Sequence, residues 1–170
     1  MTDRRRLIVM RHARAETFAG TDHDRRLTDR GAASAADVGT HLRAEALVPD
    51  YALVSTAMRT RDTWTAVART AGATECGVSF DEALFTGSFD RTVESLRAVP
   101  EDAATVLFVG HNPTAGYLCH YLDDGDGDPS ALSGLLQGFP PAAVAVLEVT
   151  VPWAELGAET GRISHYYVGR

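Results

Sequence analysis

The sequence predicts an α/β protein, a three-layer α/β/α sandwich with a mostly parallel central sheet and helices on both faces. Strand-like apolar runs alternate with helix-like segments along the chain, which is the pattern of this fold class. Residues 105–109 read Thr-Val-Leu-Phe-Val, a continuous β-branched and apolar run typical of a buried parallel strand. The 170 residues are 45% hydrophobic, and a length near the roughly 150 residues of an average domain predicts a single domain over residues 1–170.

The first half of the chain supplies two strand and helix pairs. Thr28 is a good N-cap for the first helix, because its hydroxyl can accept a hydrogen bond from a free backbone N–H. Gly72 is placed to end the second helix, since glycine adopts the left-handed conformation common at C-caps. The predicted strands cover residues 5–11 and 51–55, and the predicted helices cover residues 28–46 and 57–71.

The second half continues the alternation with shorter elements. Strands are predicted around 78–80, at 105–109, at 143–151 and at 162–168, and helices at 89–98 and 113–122. The last two strands could pair as an antiparallel hairpin at the edge of the sheet. The stretch between 123 and 138 is rich in Gly and Asp, and we expect a loop there.

Composition and charge exclude several classes of function. A net charge of −7 argues against nucleic-acid binding, which needs a basic face. All 16 basic residues are Arg, so a Schiff-base or P-loop lysine is absent. No apolar run is long enough for a membrane span or a signal-peptide core. The two cysteines, Cys76 and Cys119, fit free thiols in a reducing compartment, and we expect a cytoplasmic protein with no membrane partner.

Basic side chains follow three of the predicted strands. Arg11 and His12 come directly after the first apolar run, Arg59 lies just after residues 51–55, and His111 follows residues 105–109. Because the carboxyl ends of parallel strands form the ligand site of an open α/β sheet, we expect these groups to meet. Arginine binds phosphate oxygens as a fork, and neutral histidine can attack phosphorus. The combination predicts a site for phosphoryl transfer.

The chain resembles the histidine phosphatase superfamily, and within it the small bacterial SixA-type branch of phosphohistidine phosphatases. The resemblance covers residues 7 to about 122 and is carried by four motifs in the family's order. They are Met10-Arg11-His12-Ala13, Leu27-Thr28-x-x-Gly31, Val54-Ser55-x-x-x-Arg59-x-x-x-Thr63 and Val109-Gly110-His111-Asn112-Pro113.

The resemblance implies a role for each of the matched residues. His12 would be the nucleophile that forms a phosphohistidine intermediate. Arg11, Arg59 and His111 would bind the transferred phosphoryl group, and the backbone N–H of Asn112 could add a further hydrogen bond. No metal or cofactor is needed, because Arg and His supply the positive charge. Neighbouring arginines should lower the pKa of His12 and keep it unprotonated.

The general acid and one phosphate contact are less well defined by the resemblance. The family's acid follows the second helix, where the sequence reads Asp81-Glu82, and position in the pattern favours Glu82. Larger members carry an Asn a few residues after the nucleophile. Phe18 stands near that place here, so Arg14 or Thr17 would have to supply the contact.

Several alternatives remain open from the sequence. The expected partner is a phosphorylated substrate, which could be a phosphohistidine protein. A small-molecule phosphomonoesterase of the same superfamily and a non-catalytic module that binds phosphorylated partners are the rivals. A mutase is disfavoured because the chain is too short for the inserted lid of mutase-like relatives. The physiological substrate, the oligomeric state and the role of residues 123–138 are not defined by the sequence.

Overall fold

Six strands form one open sheet in the computed structural model, which describes residues 4–170. The order across the sheet is β3-β2-β4-β1-β5-β6. The strands are β1 (Arg5–Arg11), β2 (Tyr51–Ser55), β3 (Gly77–Asp81), β4 (Thr105–Gly110), β5 (Ala143–Val149) and β6 (Gly161–Val168). The first four run parallel to one another, β5 is antiparallel to β1, and β6 is antiparallel to β5. The predicted fold class is confirmed, and so is the antiparallel pair at the sheet edge.

Helices connect the strands and cover both faces of the sheet. The helices are α1 (Asp29–Ala44), α2 (Met58–Ala71), α3 (Ala83–Thr86), α4 (Phe89–Arg97), α5 (Thr114–Leu122) and α6 (Pro129–Leu136). Thr28 caps α1 as predicted, because its hydroxyl accepts from the N–H of Gly31 at 3.0 Å. Gly72 ends α2 with a left-handed φ of 73°. No helix in the described part of the chain has the length and apolar character of a bilayer crossing.

The predicted loop over residues 123–138 is wrong in its second half, where α6 forms. Asp128 caps this helix by accepting from the N–H of Ala131 at 2.8 Å, and Pro129 occupies its first turn. Ala131 and Leu135 are buried. The Asp-Pro pair is a helix-start signal that the Gly- and Asp-rich composition of the preceding residues concealed. Burial of the apolar face then stabilises the helix.

The sheet separates two hydrophobic cores. Leu7 and Val9 of β1 point into one core, and Ile8 and Met10 point into the other, because successive strand residues face opposite sides. The first core is completed by α4, α5 and α6, and the second by α1 and α2. This arrangement confirms helices on both faces.

The topology brings three strand ends together. β4 lies between β1 and β2, although it is the last of the three in the chain. All three are parallel, with Arg11 beside Gly110 and Val54 beside Val109. The residues that follow these strands therefore lie together at the carboxyl ends of the parallel strands. The strand order reverses there, and this is the place at which open α/β sheets bind ligands.

Candidate active site

His12 lies at the end of β1 with one ring nitrogen held and the other available. Its Nδ1 is 2.8 Å from the carbonyl oxygen of Ala13. A carbonyl can only accept, so Nδ1 carries the proton and Nε2 carries the lone pair. The N–H of Ala13 donates in turn to the buried hydroxyl of Thr63 on α2 at 3.1 Å. The turn that orients the imidazole is thus anchored to the neighbouring helix.

Burial and cationic neighbours keep His12 neutral. Its pKa is lowered from 6.5 to about 4, chiefly by burial and further by the charges of Arg59, Arg11 and Arg25, while the hydrogen bond to Ala13 acts in the opposite direction. The expected direction of the shift is confirmed, but removal from water contributes more than the arginines. A neutral imidazole with a free Nε2 can act as a nucleophile near pH 7.

Arg59 is the second residue of α2 and is buried, with 7% of its surface exposed. Its two terminal nitrogens donate to Asp22, one to the carbonyl oxygen at 2.8 Å and one to the carboxylate at 3.1 Å. Within residues 4–170 the buried Nε of Arg59 has no partner. Asp22 therefore holds the guanidinium from one side. The remaining N–H groups of Arg59 are available to donate hydrogen bonds to an anion.

Arg11 and Asn112 are fixed by the same carbonyl group. Arg11 donates to the carbonyl oxygen of Phe139 at 3.1 Å, and the side-chain amide of Asn112 donates to it at 2.8 Å. The amide oxygen of Asn112 accepts from the N–H of Gly116. Its side chain is thus engaged by protein groups, which is consistent with the prediction that Asn112 acts through its backbone N–H. The Nε of Arg11 is buried without a partner among the described residues.

His111 follows β4 directly and faces His12. The two ring centroids are 5.3 Å apart, with the planes tilted by 59°. The Nε2 atom of His111 is 2.7 Å from the hydroxyl of Ser55, and its Nδ1 is buried with no protein partner within residues 4–170. The pKa of His111 is lowered to about 3, first by burial and then by the charge of Arg59. His111 is therefore also neutral at pH 7.

Glu82 borders the site on the side of β3. It immediately precedes α3 and accepts a hydrogen bond from the hydroxyl of Thr56. His23 approaches the same hydroxyl at 3.4 Å. Phe85, on the same turn as Glu82, has its ring centroid 5.9 Å from that of His111 and 5.0 Å from that of His23. The ring of Phe85 thus forms an aromatic wall beside His111 and His23, and the Glu82 carboxylate is joined to this side of the site through Thr56.

Two of the predicted binding residues are not joined to this cluster by a side-chain hydrogen bond among residues 4–170. Arg14 is exposed, and its backbone carbonyl accepts from the N–H of Thr28. Thr17 is also exposed, and it lines a shallow depression of about 260 Å³ together with Phe18 and Asp22. Neither side chain makes a hydrogen bond in the described part of the chain. Their roles as phosphate contacts stay predictions.

Two charged residues of the loop before α1, Asp22 and Arg25, belong to the site although the sequence did not predict them. Asp22 holds Arg59, and Arg25 donates to Asp22 at 2.9 Å. The pKa of Asp22 is lowered, mainly by the hydrogen bond from Arg25, so this carboxylate is ionised. The run Asp22-His23-Asp24-Arg25 is the only signal in the sequence, and such a run is more often a solvated loop.

The side chains present suit an anion and not a cation. Arg11, Arg25 and Arg59 give the strand-end cluster its positive charge. Within residues 4–170 no three His, Cys, Asp or Glu side chains gather in a way that could hold a metal ion. A tetrahedral oxyanion would meet fixed N–H donors, a free imidazole nitrogen and a nearby carboxylate.

Comparison with known proteins agrees with this geometry. The sequence profile of the histidine phosphatase superfamily (branch 1) matches residues 7–89. An uncharacterized protein of Mycobacterium leprae is 31% identical over 166 residues, which cover 95% of this chain and 100% of the relative. A Mycobacterium tuberculosis protein, also uncharacterized, is 32% identical over 163 residues, with 95% and 100% coverage.

Solved structures give the same result. A structure assigned as the phosphohistidine phosphatase SixA of Nakamurella multipartitia has a TM-score of 0.84 and 35% identity, covering 98% of this chain and 96% of that one. The structure assigned as SixA of Agrobacterium tumefaciens has a TM-score of 0.78 and 26% identity, with 96% and 97% coverage. The chain is therefore a phosphatase-type member of the histidine phosphatase superfamily and belongs to its SixA-type branch.

Proposed function

We propose that this chain, as one histidine phosphatase domain over residues 1–170, hydrolyses a phosphoryl group through a covalent phosphohistidine at His12. The observation that carries the proposal is the state of that side chain. Burial and the charges of Arg59 and Arg11 keep His12 neutral, its Nδ1 is bound to a backbone carbonyl, and its Nε2 has no hydrogen-bond partner within residues 4–170. A structural histidine at a strand end needs neither a free nitrogen nor surrounding arginines.

The reaction consists of two in-line displacements at phosphorus. In the first, Nε2 of His12 forms an N–P bond while the bond from phosphorus to the leaving group breaks. In the second, water attacks the same phosphorus, the N–P bond breaks, and inorganic phosphate and neutral His12 are released. Arg11, Arg59 and His111 stabilise the charge on the equatorial oxygens during both steps.

Glu82 is the proposed proton donor to the leaving group. Two carboxylates lie near the cluster, and the depressed pKa of Asp22 excludes it from this role at neutral pH. Glu82 accepts a hydrogen bond from Thr56, and its side chain is exposed to solvent. In the second displacement its carboxylate accepts a proton from the attacking water.

The proposed substrate is a phosphohistidine protein. Support comes from the SixA assignments of the two solved structures with 35% and 26% identity. The exposed residues around the cluster, Phe18 and Asn112 among them, are consistent with a large substrate. An imidazole leaving group departs more readily than an alkoxide, so this substrate would depend little on Glu82.

A small-molecule phosphomonoesterase is the second candidate, and one observation favours it. The Glu82 carboxylate is held by Thr56, the residue that follows the Ser55 in contact with His111, and such a positioned acid is most useful when the leaving group is an alkoxide. The two functions share the phosphohistidine intermediate and differ only in the leaving group. A non-catalytic module that binds phosphorylated partners would need no positioned acid and no free nucleophilic nitrogen.

The test compares two substrates in the presence of EDTA. The substrates are an alkyl phosphate monoester and a phosphohistidine protein. They are assayed with wild type, His12→Ala, Glu82→Gln and the control His120→Ala, which removes an exposed histidine of α5. A rapid quench with radiolabelled substrate traps the phosphoenzyme, whose N–P bond is labile to acid. We expect the label on wild type and on the control, and none on His12→Ala.

The leaving group distinguishes the two candidates. Retained phosphohistidine turnover in Glu82→Gln, with a tenfold or greater loss on the alkyl ester, supports the phosphohistidine protein as substrate and Glu82 as the acid. Efficient wild-type turnover of esters alone would favour the phosphomonoesterase. Phosphate binding without turnover of either substrate would contradict a catalytic function and favour the binding module.

A further inference from the structure

Ser55, the last residue of β2, makes a buried contact with His111 that the proposed reaction leaves unexplained. Its side chain has no exposed surface, and its hydroxyl lies 2.7 Å from Nε2 of His111. The register of the sheet brings the two residues near each other, since Val54 of β2 pairs with Val109 of β4, one residue before Ser55 and two residues before His111. On the far side of the ring, Nδ1 is buried with no protein partner in the described part of the chain.

The direction of this hydrogen bond follows from the surroundings of the hydroxyl. Within residues 4–170 the Ser55 hydroxyl has no acceptor other than the imidazole of His111. If Nε2 donated to it, both the hydroxyl proton and the Nδ1 lone pair would be buried without a partner among the described residues, whereas donation by Ser55 leaves only the Nδ1–H, for which a substrate oxygen can supply the acceptor. Ser55 must therefore donate to Nε2. A neutral imidazole whose Nε2 accepts carries its proton on Nδ1.

We propose that Ser55 is a positioning residue that fixes His111 in the Nδ1–H tautomer, so that this N–H is directed as a hydrogen-bond donor to the transferred phosphoryl group. The proposal rests on the proposed phosphoryl-transfer function for its catalytic consequence. The unpartnered Nδ1 is then explained, because an oxygen of the substrate supplies its acceptor. Without the hydroxyl, the proton could move to Nε2 and the donor would become a lone pair that repels the phosphoryl oxygen.

The same tautomer would thus serve opposite purposes in the two histidines. In His12 the proton on Nδ1 is donated to the carbonyl oxygen of Ala13, so Nε2 carries a lone pair. In His111 the lone pair on Nε2 accepts from the hydroxyl of Ser55, so Nδ1 carries the proton. One backbone carbonyl and one hydroxyl therefore distinguish the nucleophile from the hydrogen-bond donor.

The first test needs no activity. The tautomer of His111 is measured by long-range ¹H–¹⁵N correlation spectroscopy on ¹⁵N-histidine-labelled protein, in wild type, Ser55→Ala and Ser55→Thr. Ser164→Ala is the matched control, because Ser164 contacts the ring of His165 at 3.0 Å on β6, at the sheet edge. We expect a protonated Nδ1 in wild type and Ser55→Thr, and loss of this state in Ser55→Ala.

The second test is kinetic and uses the same variants. Ser55→Ala should lower kcat about ten- to a hundredfold, by analogy with the loss seen when the hydrogen-bond partner that orients a metal-ligating histidine is removed. KM should change little, because the donor acts mainly on charge that develops in the transition state. Ser55→Thr should recover most of kcat, and Ser164→Ala should match wild type.

The outcomes separate this proposal from the proposed function. Wild-type protein with Nε2 protonated would overturn the tautomer assignment even if it is an active phosphatase. Normal kcat in Ser55→Ala would overturn the positioning role. An inactive wild type with protonated Nδ1 would refute the proposed function while supporting the assignment of the tautomer. If Ser55→Ala does not fold, the wild-type spectrum and the Ser55→Thr variant decide.

Discussion

The pH dependence of the reaction should reveal the buried state of His12. An ordinary histidine titrates near pH 6.5, whereas burial lowers the pKa of His12 to about 4. At pH 5 about 90% of a group with a pKa of 4 is neutral, against about 3% of a group with a pKa of 6.5. A nucleophile in the second state would leave the enzyme about thirtyfold less active at pH 5.

The assay is the profile of kcat/KM for an aryl phosphate between pH 3.5 and 8, since this ratio reports the ionisations of the free enzyme and free substrate. The ionisation of the substrate is titrated separately and divided out. Nuclear magnetic resonance of the His12 ring in the ligand-free protein gives the same pKa without turnover. We expect the acid limb and the ring titration to coincide well below pH 6.

A charge variant separates burial from the arginines. Burial is the largest cause of the shift, and Arg25 is the third of the three cationic contributors. Arg25→Gln should therefore raise the pKa of His12 only slightly. An acid limb near pH 6.5 in wild type would refute the reasoning about a buried neutral nucleophile. A limb that moves to 6.5 in Arg25→Gln would show that charge, and not burial, controls the ionisation.

Three further predictions concern the frame of the site. Thr63→Val leaves the N–H of Ala13 without its acceptor, so chemical denaturation should show a loss of about 1–3 kcal/mol, with a lower kcat; unchanged stability would contradict the role of this hydrogen bond. Gly39→Ala in α1 would place a Cβ 2.4 Å from the carbonyl oxygen of Val67, and this clash should lower the free energy of unfolding by about 1–3 kcal/mol. Helix propensity alone would raise it by about 1 kcal/mol. A lower Tm in the variant would support the close packing of α1 on α2, and a higher Tm would contradict it. His12 binds a proton near pH 6.5 in the unfolded chain but only near pH 4 in the folded chain. The free energy of unfolding should therefore fall as the pH drops from 6.5 to 4, by about 3 kcal/mol at most. A denaturation series over this pH range compares wild type with His12→Asn, and an equal dependence of the free energy of unfolding on pH in both proteins would exclude this linkage.

The parts of the site that could be predicted from sequence are those attached to strand ends. Arg11, His12 and His111 each follow a run whose apolar, β-branched pattern marks a buried parallel strand, and such strands deliver their last residues to one edge. Arg59 was predictable as well, because it opens a helix directly after a strand. The apolar pattern of the sequence predicts where each strand or helix begins and ends, and these bounds predict where the side chains at the strand ends lie.

Contacts made by irregular segments were not predictable in this way. Asp22 and Arg59 are 37 residues apart, and nothing in the loop around Asp22 has a period that fixes its path. The helix α6 has a local start signal at Asp128 and Pro129, but it is short and follows a Gly- and Asp-rich run, so composition favoured a loop. The three-dimensional arrangement was needed to show that a loop carboxylate holds the buried arginine.

The arrangement divides two requirements of phosphoryl transfer between two residue types. The nucleophile must be unprotonated, and burial achieves this for His12 and also for His111. The same burial removes positive charge from both imidazoles, so the charge that faces the phosphoryl group must come from groups that remain ionised out of water. Guanidinium meets this condition, whereas an ammonium group readily loses its proton when buried. A partly buried site with neutral histidines therefore requires arginine at positions 11 and 59. The two hydrogen bonds from Arg59 to Asp22 hold this guanidinium group at the strand ends.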